Sequence, residues 1–257
     1  MELISADLDD LVTKLESTEH QIHEELMWTD DERSDHSRLA ELVSRQRERF
    51  RPSDWIGQWD KDPDPVPFPP PPFLTDQPDH EYLSVTRERL FELGENICDG
   101  TETDVLNFYV AVYAWGAAQA NLQIYRGVQP LKDPRTPGRL LAGLRAGRES
   151  AEAGYRAFHT GGAAKIHKLG PSFFTKLLYF AAGRSAPSDE RHPLILDSRV
   201  ANALGWNTTD GWSVAQYARY LDTVRVVREH WGREDLPTDV IEYLLFQADR
   251  FPYAPSI

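Results

Sequence analysis

The sequence predicts an all-α protein. Apolar residues recur at three- and four-residue spacing along most of the chain, the period of a helix with one buried face. No stretch alternates apolar and polar residues for more than a few positions, so no half-buried strand is expected. Glycines, prolines and capping residues punctuate the apolar stretches at helix-sized intervals,. No segment repeats, which sets aside a solenoid.

Residues 6–51 read as one or two polar helices, with Leu8, Leu11, Val12 and Leu15, then Leu39, Leu42 and Val43, at helical spacing,. "DKDPDPVPFPPPPFLTDQPDH", Asp60 to His80, breaks the pattern with seven prolines between Pro63 and Pro72. Neither a helix nor a central strand tolerates that, so an extended connector is expected. It wraps over its own domain, or else serves as a ligand for a proline-reading domain; the first reading is favoured. The chain thus divides into an acidic helical region at 1–59, a connector at 60–80 and a helical domain at 81–257.

In that domain "EYLSVTRERLFELGENI" reads as one amphipathic helix. "TETDVLNFYVAVYAWGAAQANLQIYR" reads as a longer one, capped by Thr103 or Asp104,. It is apolar nearly all round from Val105 to Ala120, so it should lie at the centre of a bundle. "RTPGRLLAGLRAGRESAEAGYRAFHTG" gives a third, started by Pro137 and stopped by Gly161 and Gly162,. Further helices follow Gly170 and Asp197, cross "TTDGWSVAQYARYLDTVRVVREHWG", and end the chain at "PTDVIEYLLFQADRF".

Composition narrows the function. Of 257 residues, 40% are hydrophobic and seven are tryptophan, enough for a real core. The one cysteine, Cys98, excludes an intramolecular disulfide and multi-thiolate zinc sites,. A reducing cytoplasm is the natural compartment. The first residues lack the cationic start and apolar run of a signal peptide, and no apolar run is long enough to span a bilayer. No cofactor or metal is implied, since the histidines are scattered,.

Net charge is -13, but its distribution is uneven. Residues 1–104 hold 27 acidic and 10 basic side chains; residues 121–184 hold 11 basic and 3 acidic. The cationic stretch includes Arg126, Lys132, Arg135, Arg139, Arg145, Arg148, Arg156, Lys165 and Lys168. It suits contact with phosphates, and equally suits a solvated helix face.

That stretch leads into "AAKIHKLGPSFFTKLLYFAAG", which reads as two helices joined by a turn at Leu169–Ser172. Gly170 can take a positive φ, Pro171 suits the first helical position, and Ser172 is an alternative cap. Free backbone N–H groups at such a helix start bind phosphate. Lys176 then falls in the first turn or just beyond, among Phe173, Phe174, Leu177 and Phe180. Burial and the helix field both favour its neutral form, the form that attacks an electrophile. The alternative is a surface lysine whose stem covers the aromatics while its head reaches water. In "HPLILDSRVANALG", Asp197 sits where an N-cap belongs and Gly205 where the helix stops,. A capping carboxylate is held ionised by backbone N–H groups, and a fixed anion can stabilise an oxocarbenium-like sugar.

These segments resemble the helix-hairpin-helix DNA glycosylase superfamily, in particular its 8-oxoguanine glycosylase-like branch. "LGPSFFTK" is similar to that family's hairpin and catalytic lysine, and "LILDSRV" to its aspartate segment; Lys176 and Asp197 stand 21 positions apart. The match is specific over residues 165–205, with the hairpin at 165–183, although one glycine stands where the family usually has two. The resemblance implies a helix-hairpin-helix bundle, double-stranded DNA as partner and a flipped-out base. It implies Lys176 as nucleophile and Asp197 as the stabilising carboxylate. It implies backbone contacts by His167, Lys168, Leu169, Gly170 and Ser172. Gln247 and Phe251, four apart in the last helix, and Phe180 would line a base pocket, with Trp115, Trp206 and Trp212 as further candidates. Base excision, with or without AP-lyase activity, would serve repair of oxidised guanine or removal of modified phage bases in antiphage defence. Two other readings stay open: a DNA-binding module without chemistry, and an interaction protein whose acidic N-terminal region covers the basic face.

Overall fold

The structure is a computed structural model that describes residues 5–61, 64–76, 81–188 and 191–251. In chain order the elements are α1 (Ser5–Glu25), α2 (Asp30–Ser34), α3 (Ser37–Arg45), β1 (Arg47–Phe50), α4 (Pro52–Trp59), α5 (Pro72–Thr75), β2 (Leu83–Thr86) and α6 (Arg87–Gly94). Then come α7 (Glu102–Ala117), α8 (Asn121–Val128), α9 (Thr136–Glu149), α10 (Ala151–Phe158), α11 (Pro171–Ala182), α12 (Ser198–Ala203), α13 (Val214–His230) and α14 (Thr238–Ala248). Among the described residues the fold is all-α apart from one antiparallel pair, β1 with β2. Among the described residues no helix is long and apolar enough to cross a membrane. The chain forms two compact units. One spans Arg45–Arg184; the other gathers the described residues up to Ser44 and from Ser185 onward.

In the Arg45–Arg184 unit, α7 is the central helix. Its residues from Val105 to Trp115 are buried on nearly every side, save half-buried Asn107. It packs against the strand pair, α6, α8, α9 and α11. Each large side chain so enclosed contributes about 1.5–3 kcal/mol through removal from water. Thr101 caps α7 in a capping box with Asp104, rather than Thr103 or Asp104 serving as the cap. The box satisfies a helix-end N–H from each side, which a single cap at Asp104 could not.

The long helix expected to run on to Arg126 is broken at Ala118, at φ 46°. The chain then restarts as α8, which Tyr109 ties back by donating its hydroxyl to the Gly127 carbonyl at 2.8 Å. The third expected helix is likewise two, α9 and α10. Ser150 takes an extended backbone and caps α10 by accepting from the Ala153 N–H. The fold-back lets Gly147 and Gly154 meet: a methyl at 154 would stand 2.6 Å from the Gly147 Cα. Strands at 47–50 and 83–86 replace helix at both places, because they pair with each other, Arg47 with Thr86 through Phe50 with Leu83. Four residues are too few to show an alternation in the sequence.

The described part of the proline segment lies on this same unit. Val66 and Leu74 are buried, and the Trp59 indole N–H donates to the Phe68 carbonyl at 2.7 Å.

In the other unit α14 packs against α1, α12 and α13. The acidic face of α1 is matched within the unit. Glu16 accepts from the Trp231 indole, Glu19 pairs with Arg233, Glu25 with Arg250, and Asp9 with His230. The Lys14 ammonium donates to the Ala203 carbonyl at the end of α12, at 2.6 Å.

Candidate active site

Lys176 stands on α11, so the start of that helix sets its place. The two-helix reading of the hairpin is corrected: α10 stops at Phe158, and residues 159–170 form turns. His159 is the C-cap of α10, and Gly162 beyond it must be glycine, because a Cβ there would lie 2.2 Å from the Arg156 and Ala157 carbonyls. Pro171 takes the first helical position as expected, and Gly170 is the N-cap. The Gly170 carbonyl accepts from Phe173 and Phe174, both at 3.0 Å. Gly170 has φ -91°, so the positive φ belongs instead to Lys168, at 65°. Ser172 lies inside the helix and does not cap it. His167 and Lys168 are exposed, Leu169 is buried, and Ser172 is half-buried.

Lys176 is only 6% exposed. Counting from Pro171 it lies in the second turn, past the reach of the helix-end field, so burial is the dominant change in its surroundings. Its Nζ donates to the Ser172 carbonyl at 2.9 Å and stands 5.6 Å from the Phe173 ring centre. Phe173 is in turn stacked flat on Tyr113 of α7, with ring centres 3.6 Å apart and planes 4° apart. One turn along α7, Gly116 opens the space the lysine stem fills. A methyl there would lie 2.9 Å from Phe173 Cε1, 3.0 Å from Lys176 Cδ and 3.2 Å from Lys176 Cε. The lysine is therefore held by shape: Gly116 on one side, the Tyr113–Phe173 stack on another. Burial pushes the Tyr113 hydroxyl well above its ordinary range, with Arg126 pulling the other way, so it stays neutral at physiological pH.

Phe180, one turn beyond Lys176, is fully enclosed. It meets Phe91 at 5.2 Å and Trp115 at 5.4 Å, both edge-on. Trp115 is 5% exposed, and its indole nitrogen is buried with no hydrogen-bond partner among the described residues. Several cations of the 121–184 stretch are matched locally. Arg135 and Arg139 face Asp133, Arg148 faces Asp99, and Lys132 faces Asp64.

Asp197 lies in the other unit, as the N-cap of α12. Its Oδ1 accepts from the Arg199 N–H at 3.1 Å and the Val200 N–H at 3.2 Å. The aliphatic run before it is buried and lies outside any helix or strand, so its backbone needs partners,. Tyrosines of α13 supply them. The Tyr217 hydroxyl donates to the Leu194 carbonyl at 3.0 Å and accepts from the Leu194 N–H at 3.2 Å. The Tyr220 hydroxyl donates to the Ile195 carbonyl at 2.8 Å. These two hydroxyls fix the segment that delivers Asp197.

Gln247 is 7% exposed on α14, and its Oε1 is buried with no hydrogen-bond partner among the described residues. Phe251 does not share its helix face. α14 ends at Ala248, and Phe251 lies three residues beyond, half-buried under the Arg250 guanidinium. The proline at 252 disfavours helical backbone at Phe251,. Trp212 is fully buried and donates to the Thr208 carbonyl; Trp206 lies 6.5 Å from it, ring to ring.

Sequence reasoning set Phe173 beside Lys176 but missed Tyr113, Gly116, Tyr217 and Tyr220 as supporting residues. Gly116 carried a signal, being a glycine inside a strongly apolar helix, which marks a close approach. The tyrosines carried none beyond helical spacing.

A family model described as "Putative 8-oxoguanine DNA glycosylase OGG-like protein" matches residues 41–246. The chain belongs to this OGG-like family. Neither a search of curated proteins nor one of solved structures returned a match. The match to the OGG-like family spans all of α11 and the Asp197 segment as well as the whole Arg45–Arg184 unit.

Proposed function

We propose that this OGG-like protein is a DNA glycosylase, with Lys176 as nucleophile and Asp197 as the carboxylate that stabilises positive charge on the sugar. The observation that carries the reading is the buried amine of Lys176, its stem held between Gly116 and the Phe173 ring. A lysine kept out of water and fixed in one direction is what covalent catalysis by an amine requires. The pairing of Lys176 with Asp197 in one reaction rests on family membership and on their 21-residue spacing.

The chemistry runs as follows. A modified nucleotide leaves the stack. The neutral amine of Lys176 forms a bond to the sugar carbon C1′ as the C1′–N bond to the base breaks. The base departs with that electron pair and takes up a proton; the attacking nitrogen gives one up. The Asp197 carboxylate, fixed in place by two backbone N–H groups, stabilises the positive charge that builds on the sugar. Ring opening gives a protonated imine. Water then releases the sugar and restores the amine, or loss of a C2′ proton expels the 3′ phosphate and nicks the strand. His167, Lys168, Gly170 and Ser172 would contact backbone phosphates, and Gln247, Trp115, Phe180 and Phe251 would contribute to holding the base.

The test is direct. The protein is incubated with duplexes carrying oxidised guanine and with phage DNAs carrying modified bases, and the free base is identified by mass spectrometry. Release of one such base by the unaltered protein, lost in Lys176→Gln, is expected. Salt-sensitive binding with no base released from any DNA would instead favour a binding module.

A further inference from the structure

The Arg45–Arg184 unit carries an exposed surface that the lysine chemistry does not use. On α8, Ile124, Gly127 and Val128 are buried, while Leu122 and Tyr125, three apart and so on one face, are 59% and 37% exposed. Two lysines distant in sequence converge on the Tyr125 ring. The ammonium of Lys61 stands 5.7 Å from its centre and that of Lys168 stands 5.8 Å from it. Arg126, the next residue, is exposed. Among the described residues none of these three cations forms an ion pair with a carboxylate, unlike Lys132, Arg135, Arg139 and Arg148 nearby in sequence. Two like charges beside one ring repel each other, and an anion between them offsets that. Lys168 is placed there by a left-handed backbone, φ 65°, a conformation non-glycine residues rarely keep without a reason. The surface also adjoins the lysine niche. A Cβ on Gly127, next to Arg126, would stand 2.6 Å from the Tyr113 ring, and Tyr113 carries the Phe173 ring beside Lys176.

We propose that Leu122 and Tyr125, flanked by Lys61, Arg126 and Lys168, form a strand-contact platform: phosphates bind the cations, and an unpaired base stacks on Tyr125. The proposal rests on the reading of this protein as DNA-acting and deepens it. Apolar contact and cations alternate over one small patch, which suits a nucleic-acid strand, whose bases are apolar on their faces and whose backbone is anionic. Phosphate binding draws the lysines off the ring and opens its face to a base.

The experiment measures equilibrium binding, by fluorescence anisotropy, to a fully paired duplex and to the same duplex with one tetrahydrofuran abasic-site analogue, over a range of salt. 2-Aminopurine opposite the analogue reports stacking of the unpaired base. Tyr125→Ala is expected to weaken binding to the analogue duplex about tenfold, the size of one lost base–aromatic stack, with little change on paired DNA. Tyr125→Phe should restore it, together with the quenched 2-aminopurine signal. The double variant Lys61→Gln, Lys168→Gln should lower the slope of log affinity against log salt by about 2 on both duplexes. Equal losses on the two duplexes, an unchanged salt slope, or no binding by the unaltered protein overturns the platform. Base release is scored in parallel. If Tyr125 matters for binding yet no base is ever released, the glycosylase reading fails and the platform stands; if release is normal and Tyr125→Ala binds as the unaltered protein does, the platform alone fails.

Discussion

Removing one oxygen from Tyr217 should loosen the segment that carries Asp197. The Tyr217 hydroxyl satisfies both the N–H and the carbonyl of Leu194, a residue 1% exposed. In Tyr217→Phe the ring still fills its place, but two buried backbone groups lose this partner. Each such group left unsatisfied costs about 1–3 kcal/mol, so the expected loss for the two is about 2–6 kcal/mol. Tyr220→Phe removes one bond, to the Ile195 carbonyl, and should cost about half as much. Native-state hydrogen exchange reads the effect where it occurs: protection of the Leu194 amide should fall by about 30- to 20,000-fold, since each 1.4 kcal/mol is tenfold. Urea unfolding gives the global value. An exchange rate within about threefold of the unaltered protein would show that the tyrosine hydroxyls do not hold this segment, and the account of how Asp197 is placed would be wrong.

Three further outcomes are expected. Gly116→Ala puts a methyl 2.9–3.2 Å from the Phe173 ring and the Lys176 stem, so the amine shifts. Single-turnover base release should drop about 10- to 100-fold, as a misplacement near 1 Å does, whereas DNA affinity stays near that of the unaltered protein. At Asp197 the cap and the charge separate: Asp197→Asn keeps a good capping residue and should unfold within about 0.5 kcal/mol of the unaltered protein, whereas Asp197→Ala loses about 1 kcal/mol. Both should lose base release, checked by the same assay. The third concerns pH. Burial, with help from the charges of Arg33, His20 and Arg233, lowers the pKa of His23 from its ordinary 6.5. The unfolded chain then takes up a proton that the folded one refuses, so this stability is present above about pH 6.5 and is lost as pH falls through the folded value. Glu19, whose carboxyl is raised chiefly by burial, acts in the opposite sense at lower pH. Urea midpoints at pH 7 and 5.5 should differ less in His23→Gln than in the unaltered protein.

What could be read from the sequence was what local chemistry decides. The unbroken apolar surface of α7 announced a central helix, and Pro171 and Asp197 announced two helix starts. Features decided by partners far along the chain stayed hidden. β1 and β2 are four residues each and exist through pairing across 32 intervening positions. The break at Ala118 falls two residues after Gly116, inside an apolar stretch that reads as one continuous helix, and α8 is then tied back through Tyr109 and Gly127. Within the site, Lys176 could be singled out, while the Tyr113–Phe173 stack that walls it could not, because aromatics at helical spacing look the same whether they fill a core or shape a niche. Phe251 failed as a helix-face partner of Gln247 for a local reason, the proline that follows it.

One measurement bears most directly on the central claim. The protein is reduced with borohydride during reaction with a DNA it acts on, digested with protease and nuclease, and the peptide carrying the sugar adduct is sequenced by mass spectrometry. The account predicts the adduct on the side-chain nitrogen of residue 176. An adduct on any other amine, or base release that continues in Lys176→Gln, contradicts it.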